Sequence, residues 1–308
     1  MRLLITGISS NLGRLVGSLA LREGHHVIGL DRRPWPDAPR AIEMHQVDLQ
    51  KRAAEDVFRT RRPDAVVHLA TVTHTSDVDA ELRHRINLGG TRAVFEHSER
   101  YGIAACVFVG RHTFYGAAPD TPLYHTETDP PLAVATFPHL ADLVAADLFA
   151  ASALWRVQTM HSVILRVCYT IGPSRNGTLA NYLRGPRVPM ALGFDPLYQL
   201  MHEEDAARAI LLSASAAARR ALKGVFNVAG PQPLPLSSVI RIAGRKALPL
   251  PEAALPHLFG RFGLPKLPVQ SVEHLKHSVV VDDRAFRDAT GFTHTFDEGE
   301  SLRAFRYA

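Results

Sequence analysis

The chain has 308 residues, 46% of them hydrophobic and 21% charged, which excludes disordered and fibrous classes and leaves a globular protein with one large core or two unequal ones. The formal charge of +5 rests on arginine: of 35 basic residues only five are lysine (Lys51, Lys223, Lys246, Lys266, Lys276). That skew is expected of a GC-rich genome, and it restricts where a catalytic lysine could lie.

Two kinds of pattern alternate along the chain. Short apolar runs at RLLIT, HVIGL, MHQV, AVVHLA, ACVFVG and SVILRV read as strands. Between them lie helical patterns at Leu12 to Arg22, Ala53 to Arg61, Asp79 to Tyr101 and Leu140 to Gln158. Strand followed by crossover helix predicts parallel strands in an α/β, Rossmann-type doubly wound sheet. Cys106 and Cys168 fall inside two of these apolar runs, as small hydrophobes rather than disulfide or metal cysteines. After Gly172-Pro173 the rhythm breaks and proline becomes frequent. Helices are expected at Glu203 to Ala217 and Leu236 to Ala243, and a strand at Val225 to Val228. The expected division is a dinucleotide-binding domain over 1–172 and a smaller C-terminal substrate-covering region over 173–308, with some elements returning to the main sheet. MRLLITG lacks the length and cleavage site of a signal peptide, and no apolar run reaches the ~18 residues that span a bilayer. A cytoplasmic protein without membrane association is expected.

The first strand runs into Thr6-Gly7-Ile8-Ser9-Ser10-Asn11-Leu12-Gly13 and then a helix. Glycines there permit a tight turn and close helix–strand packing, and the helix N-terminus offers free N–H groups to a pyrophosphate. Asp31, 24 residues after Gly7 at the end of the second strand, is placed to accept from adenosine ribose hydroxyls, which favours NAD. Arg32 and Arg33 directly after it leave NADP open, because an adjacent arginine accommodates a 2′-phosphate.

These residues, with Asp48-Leu49, His68-Leu69-Ala70, Asn87-Leu88-Gly89-Gly90-Thr91, Phe114-Tyr115-Gly116, Leu165-Arg166, Gly172-Pro173, His202-Glu203-Glu204-Asp205 and Phe226-Asn227-Val228-Ala229-Gly230, resemble the extended short-chain dehydrogenase/reductases, the NAD-dependent epimerase/dehydratase family, over nearly the whole chain. The resemblance implies that Gly7, Ser10, Asn11, Leu12, Gly13, Asp31, Asp48, Leu49, Leu69, Ala70 and Thr71 wrap the dinucleotide. Ser10 replaces a usual glycine, so backbone approach to the phosphates is expected to be less free there. The resemblance also implies a homodimer, paired through the helices at Asp79 to Tyr101 and Leu140 to Gln158.

The family's proton relay is a tyrosine acid/base with a lysine four residues later. A phenol of pKa about 10 is a poor base at neutral pH, and a neighbouring ammonium stabilises its phenolate. The matching positions here are His139 and Leu143, and none of the seven tyrosines has a lysine four residues on. The serine that assists the relay corresponds to Arg111, with His112 and Thr113 nearby. Two diphosphate-binding positions, usually Asn and Arg, correspond to Tyr169 and Tyr198, which disfavours an ordinary UDP-sugar epimerase.

His139 could act as a base without lysine, its ordinary pKa being about 6.5, or fill a closed pocket at a helix start. His74 either faces a substrate, with Arg111, Tyr169 and Tyr198, or is solvated. The sixteen histidines have no metal-ligand spacing, and Arg32-Arg33, Arg61-Arg62 and Arg219-Arg220 are short pairs rather than a nucleic-acid stripe. No metal and no nucleic acid are expected. Three functional readings follow: an NAD-binding epimerase/dehydratase relative without the dyad, serving as sensor, scaffold or partner; an active oxidoreductase or epimerase with a non-standard relay through His139 or Thr113 on a substrate other than a UDP-sugar; and a fold without cofactor.

Overall fold

The computed structural model describes residues 1–73 and 79–308. Seven strands, β1 (Arg2–Thr6), β2 (His26–Asp31), β3 (Glu43–Gln46), β4 (Ala65–His68), β5 (Ala105–Arg111), β6 (His161–Val167) and β7 (Gly224–Val228), form one parallel sheet in the order β7-β6-β5-β4-β1-β2-β3. The order reverses between β1 and β4. In such sheets ligands bind outside the strand C-termini at that crevice.

Side-chain alternation along the strands divides the apolar residues between two cores. Leu3, Ile5, Val67, Val107 and Leu165 face α1 (Asn11–Arg22) and a later helix described below. Leu4, Ile28, Val66, Phe108 and Ile164 face α2 (Arg52–Arg61), α3 (Gly90–Arg100) and α4 (Ala141–Arg156). Burial on both faces is why the strands are nearly continuous apolar runs. Cys106 and Cys168 are free and buried, one in each core, and burial pushes the Cys106 thiol up to about 12.

The helix expected over 79–101 is interrupted. It opens at Ala80–His84, widens into a π turn at Arg85–Gly89 and continues as α3. Gln50 Nε2 donates to the Arg85 carbonyl at 2.7 Å, satisfying a group in the widened turn. The buried Asn87 in this turn brackets Val72, its Oδ1 accepting from the Val72 N–H at 2.7 Å and its Nδ2 donating to the Val72 carbonyl at 2.9 Å.

Beyond residue 173, α5 (Glu203–Ala218) packs on the main sheet and β7 extends it. Much of the rest builds a third core around Ile171, Leu200, Leu236, Ile240 and Phe305, while Phe286 and Phe292 join the first. Small strand pairs carry it: Tyr169–Ile171 with Leu200–His202, and Arg187–Ala191 with Lys246–Leu250. The latter pairing places the proline-rich stretch after Lys246 at an edge, where a missing N–H is tolerated. No helix among the described residues is long and apolar enough to cross a membrane.

Candidate functional site

A cleft with a cavity of about 560 Å³ opens at the C-terminal ends of the central strands. Its near wall is the turn between β1 and α1. Gly7 has φ +74°, and a Cβ there would lie 2.7 Å from the Ala70 nitrogen; a Cβ on Gly13 would lie 2.4 Å from the Gly7 carbonyl oxygen. Both positions therefore require glycine for close backbone approach. Ser10 does not: its φ of −72° and ψ of 158° are open to any residue. Its hydroxyl turns inward, donating to the Gly7 carbonyl at 2.7 Å and accepting from the Gly13 N–H at 3.1 Å. This caps α1 and leaves the N–H groups of Asn11 and Leu12, both in the cavity wall, for an incoming anion.

Asp31 is buried at the tip of β2. Its carboxylate accepts from the Ser9 N–H at 3.0 Å and the Arg33 N–H at 2.9 Å, while the Arg33 side chain reaches it only at 3.4 Å and beyond. The two backbone bonds fix the carboxylate and leave lone pairs for a ribose hydroxyl if the half-exposed Arg33 swings aside. Arg33 lines the cavity; Asp31 and Arg32 do not. Leu69 and Thr71 line it as well, with Ala70 beneath Gly7. Asp48 is exposed, accepting from the Gln50 N–H at 2.9 Å, and Leu49 packs against the second core; both lie outside the cavity wall. His74 lies outside the described residues.

His68, under this half of the cleft, is fully buried between Thr6 Oγ1 at 2.6 Å and Thr91 Oγ1 at 2.9 Å. Thr91 donates its own proton to the Asn87 carbonyl at 2.6 Å. The imidazole thus donates from Nε2 to Thr91 and accepts from Thr6 at Nδ1, a neutral ring with both nitrogens satisfied. Burial lowers its pKa to about 3.

The far half of the cavity brings together Arg111, Thr113, Tyr169 and Tyr198. Tyr169 stacks on Tyr198 with ring centroids 5.6 Å apart, and the Tyr198 hydroxyl donates to the His274 carbonyl at 2.9 Å. His112 sits edge-on to Tyr169 at 4.5 Å. Its Nδ1 donates to the Val167 carbonyl at 3.3 Å, and burial, helped by the neighbouring His274 and Arg111, lowers its pKa to about 3. Burial raises the Tyr169 phenol above its ordinary range, with Arg111 pulling the other way, so this hydroxyl stays a proton donor.

His139 lies in a one-turn 3₁₀ helix, Pro138–Leu140, ahead of α4 and does not line the cavity. Its Nδ1 is buried without a hydrogen-bond partner among the described residues, and its ring lies 5.6 Å from that of Phe137. At this part of the wall the cavity is lined by Phe137 and Leu140. Leu143 packs behind them against the Phe114 and Tyr115 cluster and borders a small second cavity of about 20 Å³ shared with Arg111, Thr113 and Asp147.

Sequence reasoning missed the lining supplied from beyond residue 173: Ser174, Glu203, Ser271, His274 and Leu275. Only Glu203 carried a signal, as part of the His202-to-Asp205 motif. Its carboxylate accepts from the Ser174 N–H at 3.0 Å and from the Ser174 hydroxyl. His202 caps α5 by accepting from the Glu204 N–H at 3.2 Å. Asp205 accepts from the N–H groups of Thr295 and Phe296 at 2.9 and 3.1 Å. Among the described residues no group of three or more His, Cys, Asp or Glu is placed to hold a metal.

A family model described as the NAD dependent epimerase/dehydratase family matches residues 3–229. The chain belongs to this family. The chain is 29% identical over 212 residues to an uncharacterized protein of Mycobacterium tuberculosis (strain ATCC 25618 / H37Rv), covering 68% of this chain and 55% of that protein. It is 28% identical over 176 residues to the UDP-glucose 4-epimerase of Bacillus subtilis (strain 168), covering 51% and 50%. The chain spans about half the length of the curated relatives it matches. Among solved structures, the UDP-glucose 4-epimerase of Thermus thermophilus in complex with NAD superposes with a TM-score of 0.77 at 22% identity, covering 100% of both chains. The dTDP-glucose 4,6-dehydratase of Bacillus anthracis str. Ames in complex with NAD gives 0.75 at 16% identity, covering 100% of this chain and 96% of the other. At such identities the likeness shows the epimerase/dehydratase fold.

Proposed function

We propose that this chain binds NAD across the cleft but does not run its family's usual proton relay, and serves as a dinucleotide-dependent sensor, scaffold or partner subunit. The observation that carries this is the wall of the cavity at the relay position: Phe137 and Leu140, backed by Leu143, with His139 outside the lining. None of those three apolar side chains can take or give a proton. When bound, NAD would supply a hydride donor or acceptor at its nicotinamide. The chain's own residues bind and orient it: Gly7 and Gly13 allow close approach, the N–H groups of Asn11 and Leu12 receive the pyrophosphate, and Asp31 holds the adenosine ribose. In this reading residues 1–172 carry the dinucleotide, residues 173–308 close the far side of the cavity, and the protein is a cytoplasmic homodimer.

The second reading, an active oxidoreductase or epimerase with a non-standard relay on a substrate other than a UDP-sugar, draws on Thr113. Its hydroxyl borders both cavities and makes no hydrogen bond among the described residues, so it is available to a substrate oxygen.

Thermal denaturation with NAD and with NADP tests the first reading. Saturation at about 100 times Kd adds ~2.7 kcal/mol of stability, and Asp31→Ala should remove the gain with NAD. A larger gain with NADP would instead assign Arg32 and Arg33 to a 2′-phosphate. Steady-state turnover on a panel of sugar nucleotides and small alcohols, abolished by Thr113→Val or His139→Ala, would replace the first reading with the second.

A further inference from the structure

Arg111 ends β5 at the floor of the cavity, where the family's relay has a serine. Among the described residues its Nε, which is buried, has no hydrogen-bond partner and no carboxylate forms an ion pair with it. Two other arginines of low exposure are compensated by carboxylates: Arg166 by Asp147 at 2.9 Å, Arg83 by Asp142 at 3.1 Å. A guanidinium cannot shed its proton to escape the cost of burial, so an uncompensated one in a cavity calls for an anion from outside. The same lining offers donors as well, the hydroxyls of Tyr169 and Thr113, neither hydrogen-bonded among the described residues.

We infer that Arg111 is the anchor for the carboxylate of a small, otherwise apolar or aromatic ligand bound beside the nicotinamide end of the cleft. This rests on the dinucleotide reading for its position, and it names the ligand class of that site. The charge count favours a monoanion. Among the described residues, the lining of this half contains one permanent cation, Arg111, and one carboxylate, Glu203, whose oxygens are already engaged by Ser174. A phosphate monoester or a diphosphate would bring two negative charges to a single guanidinium. A carboxylate matches the planar fork of one arginine. The remaining wall is apolar and aromatic, with the stacked Tyr169 and Tyr198 on one side and Phe137, Leu140 and Leu275 on others. By the resemblance, Tyr169 and Tyr198 stand where the family's diphosphate-binding Asn and Arg would be, so the cationic group in this half is Arg111 instead. His112 and His274, both with pKa values lowered by burial, stay neutral there and leave the anion to Arg111.

The test uses the full chain saturated with NAD and reads Tm and calorimetric affinity for benzoate and phenylacetate, for their neutral counterparts benzamide and benzyl alcohol, and for inorganic phosphate. We expect the two acids, and not the neutral compounds or phosphate, to raise Tm. Arg111→Gln should weaken acid binding at least tenfold, with Arg111→Lys between the two. The Tm of the ligand-free Arg111→Gln protein should equal or exceed that of the parent, because it removes an unpaired buried charge. Neutral compounds binding as well as acids, phosphate binding better than either, acid binding unchanged by Arg111→Gln, or no acid bound by the NAD-loaded protein would each overturn the assignment. So would a lower Tm for ligand-free Arg111→Gln, the mark of a structural arginine. Absence of any shift with NAD itself counts against the dinucleotide reading alone. The acids are then titrated on the cofactor-free chain, where the same comparison of parent and variant decides.

Discussion

Tyr115 shows how a familiar motif residue can be structural. Its hydroxyl donates to Asn227 Oδ1 at 2.8 Å and accepts from Arg166 Nη1 at 3.0 Å, and its ring stacks on His125 at 4.8 Å. Arg166 in turn pairs with Asp147, both buried, and lies 3.6 Å over the Phe114 ring. Burial raises the Asp147 carboxyl above its ordinary range, with Arg166 pulling it back. Removing one partner of such a pair strands the other charge in the interior. Asp147→Ala is therefore expected to cost about 3–5 kcal/mol, read as the shift in the urea midpoint, while Asp147→Asn, which keeps a hydrogen-bonding group, costs less. Phe114-Tyr115-Gly116 and Leu165-Arg166 were legible as motif residues. That they lock together across the sheet ends was not, because a pair 51 residues apart leaves no local trace.

Elements were the most readable level. Each of the first six main-sheet strands lies within two residues of its predicted run, because burial on both faces writes one continuous signal in all but the partly exposed edge strand β3. The interruption before α3 was unreadable: the π turn depends on Asn87 gripping Val72 and on Gln50 reaching Arg85, contacts set by the fold. The helix α4 has a second side that is exposed among the described residues. Leu148 and Trp155, seven residues and two turns apart, are 47% and 73% exposed on one stripe, and Phe149 beside them meets Phe95 of α3 at 6.4 Å. For the proposed homodimer through α3 and α4, Leu148→Glu with Trp155→Glu should halve the mass seen by light scattering without changing helix content. A parent that is already monomeric would remove the dimer from the reading.

Across the molecule, three neutral imidazoles tie stability to pH. His68, His112 and His274 are buried, and their pKa values are lowered to about 3, 3 and 4, burial being the leading cause for each. In the unfolded chain they return to about 6.5. Between those limits the unfolded state binds more protons, so stability is full above about pH 6.5 and falls as acid is added toward pH 4. Each group contributes a slope of ~1.4 kcal/mol per pH unit in that window. Urea midpoints measured from pH 7.5 to 4.5 should show the fall, and His68→Gln should reduce its slope by about one proton's worth. A flat profile would mean that these rings are protonated in the folded protein.

The doubly wound sheet, the glycine turn with Asp31 at the next strand end, and the missing tyrosine–lysine pair all follow from the order of residues along the chain. Each is a property of consecutive or regularly spaced positions, where periodicity and covalent spacing suffice. What replaces the missing pair came from tertiary packing. Which side chain faces a cavity depends on how distant segments meet: packing left His139 out of the wall, put Phe137 and Leu140 in its place, and brought Leu275 and His274 from the far end of the chain over Tyr198. It also left Arg111 without a carboxylate among the described residues, a fact about every neighbour at once that no reading along the chain contains.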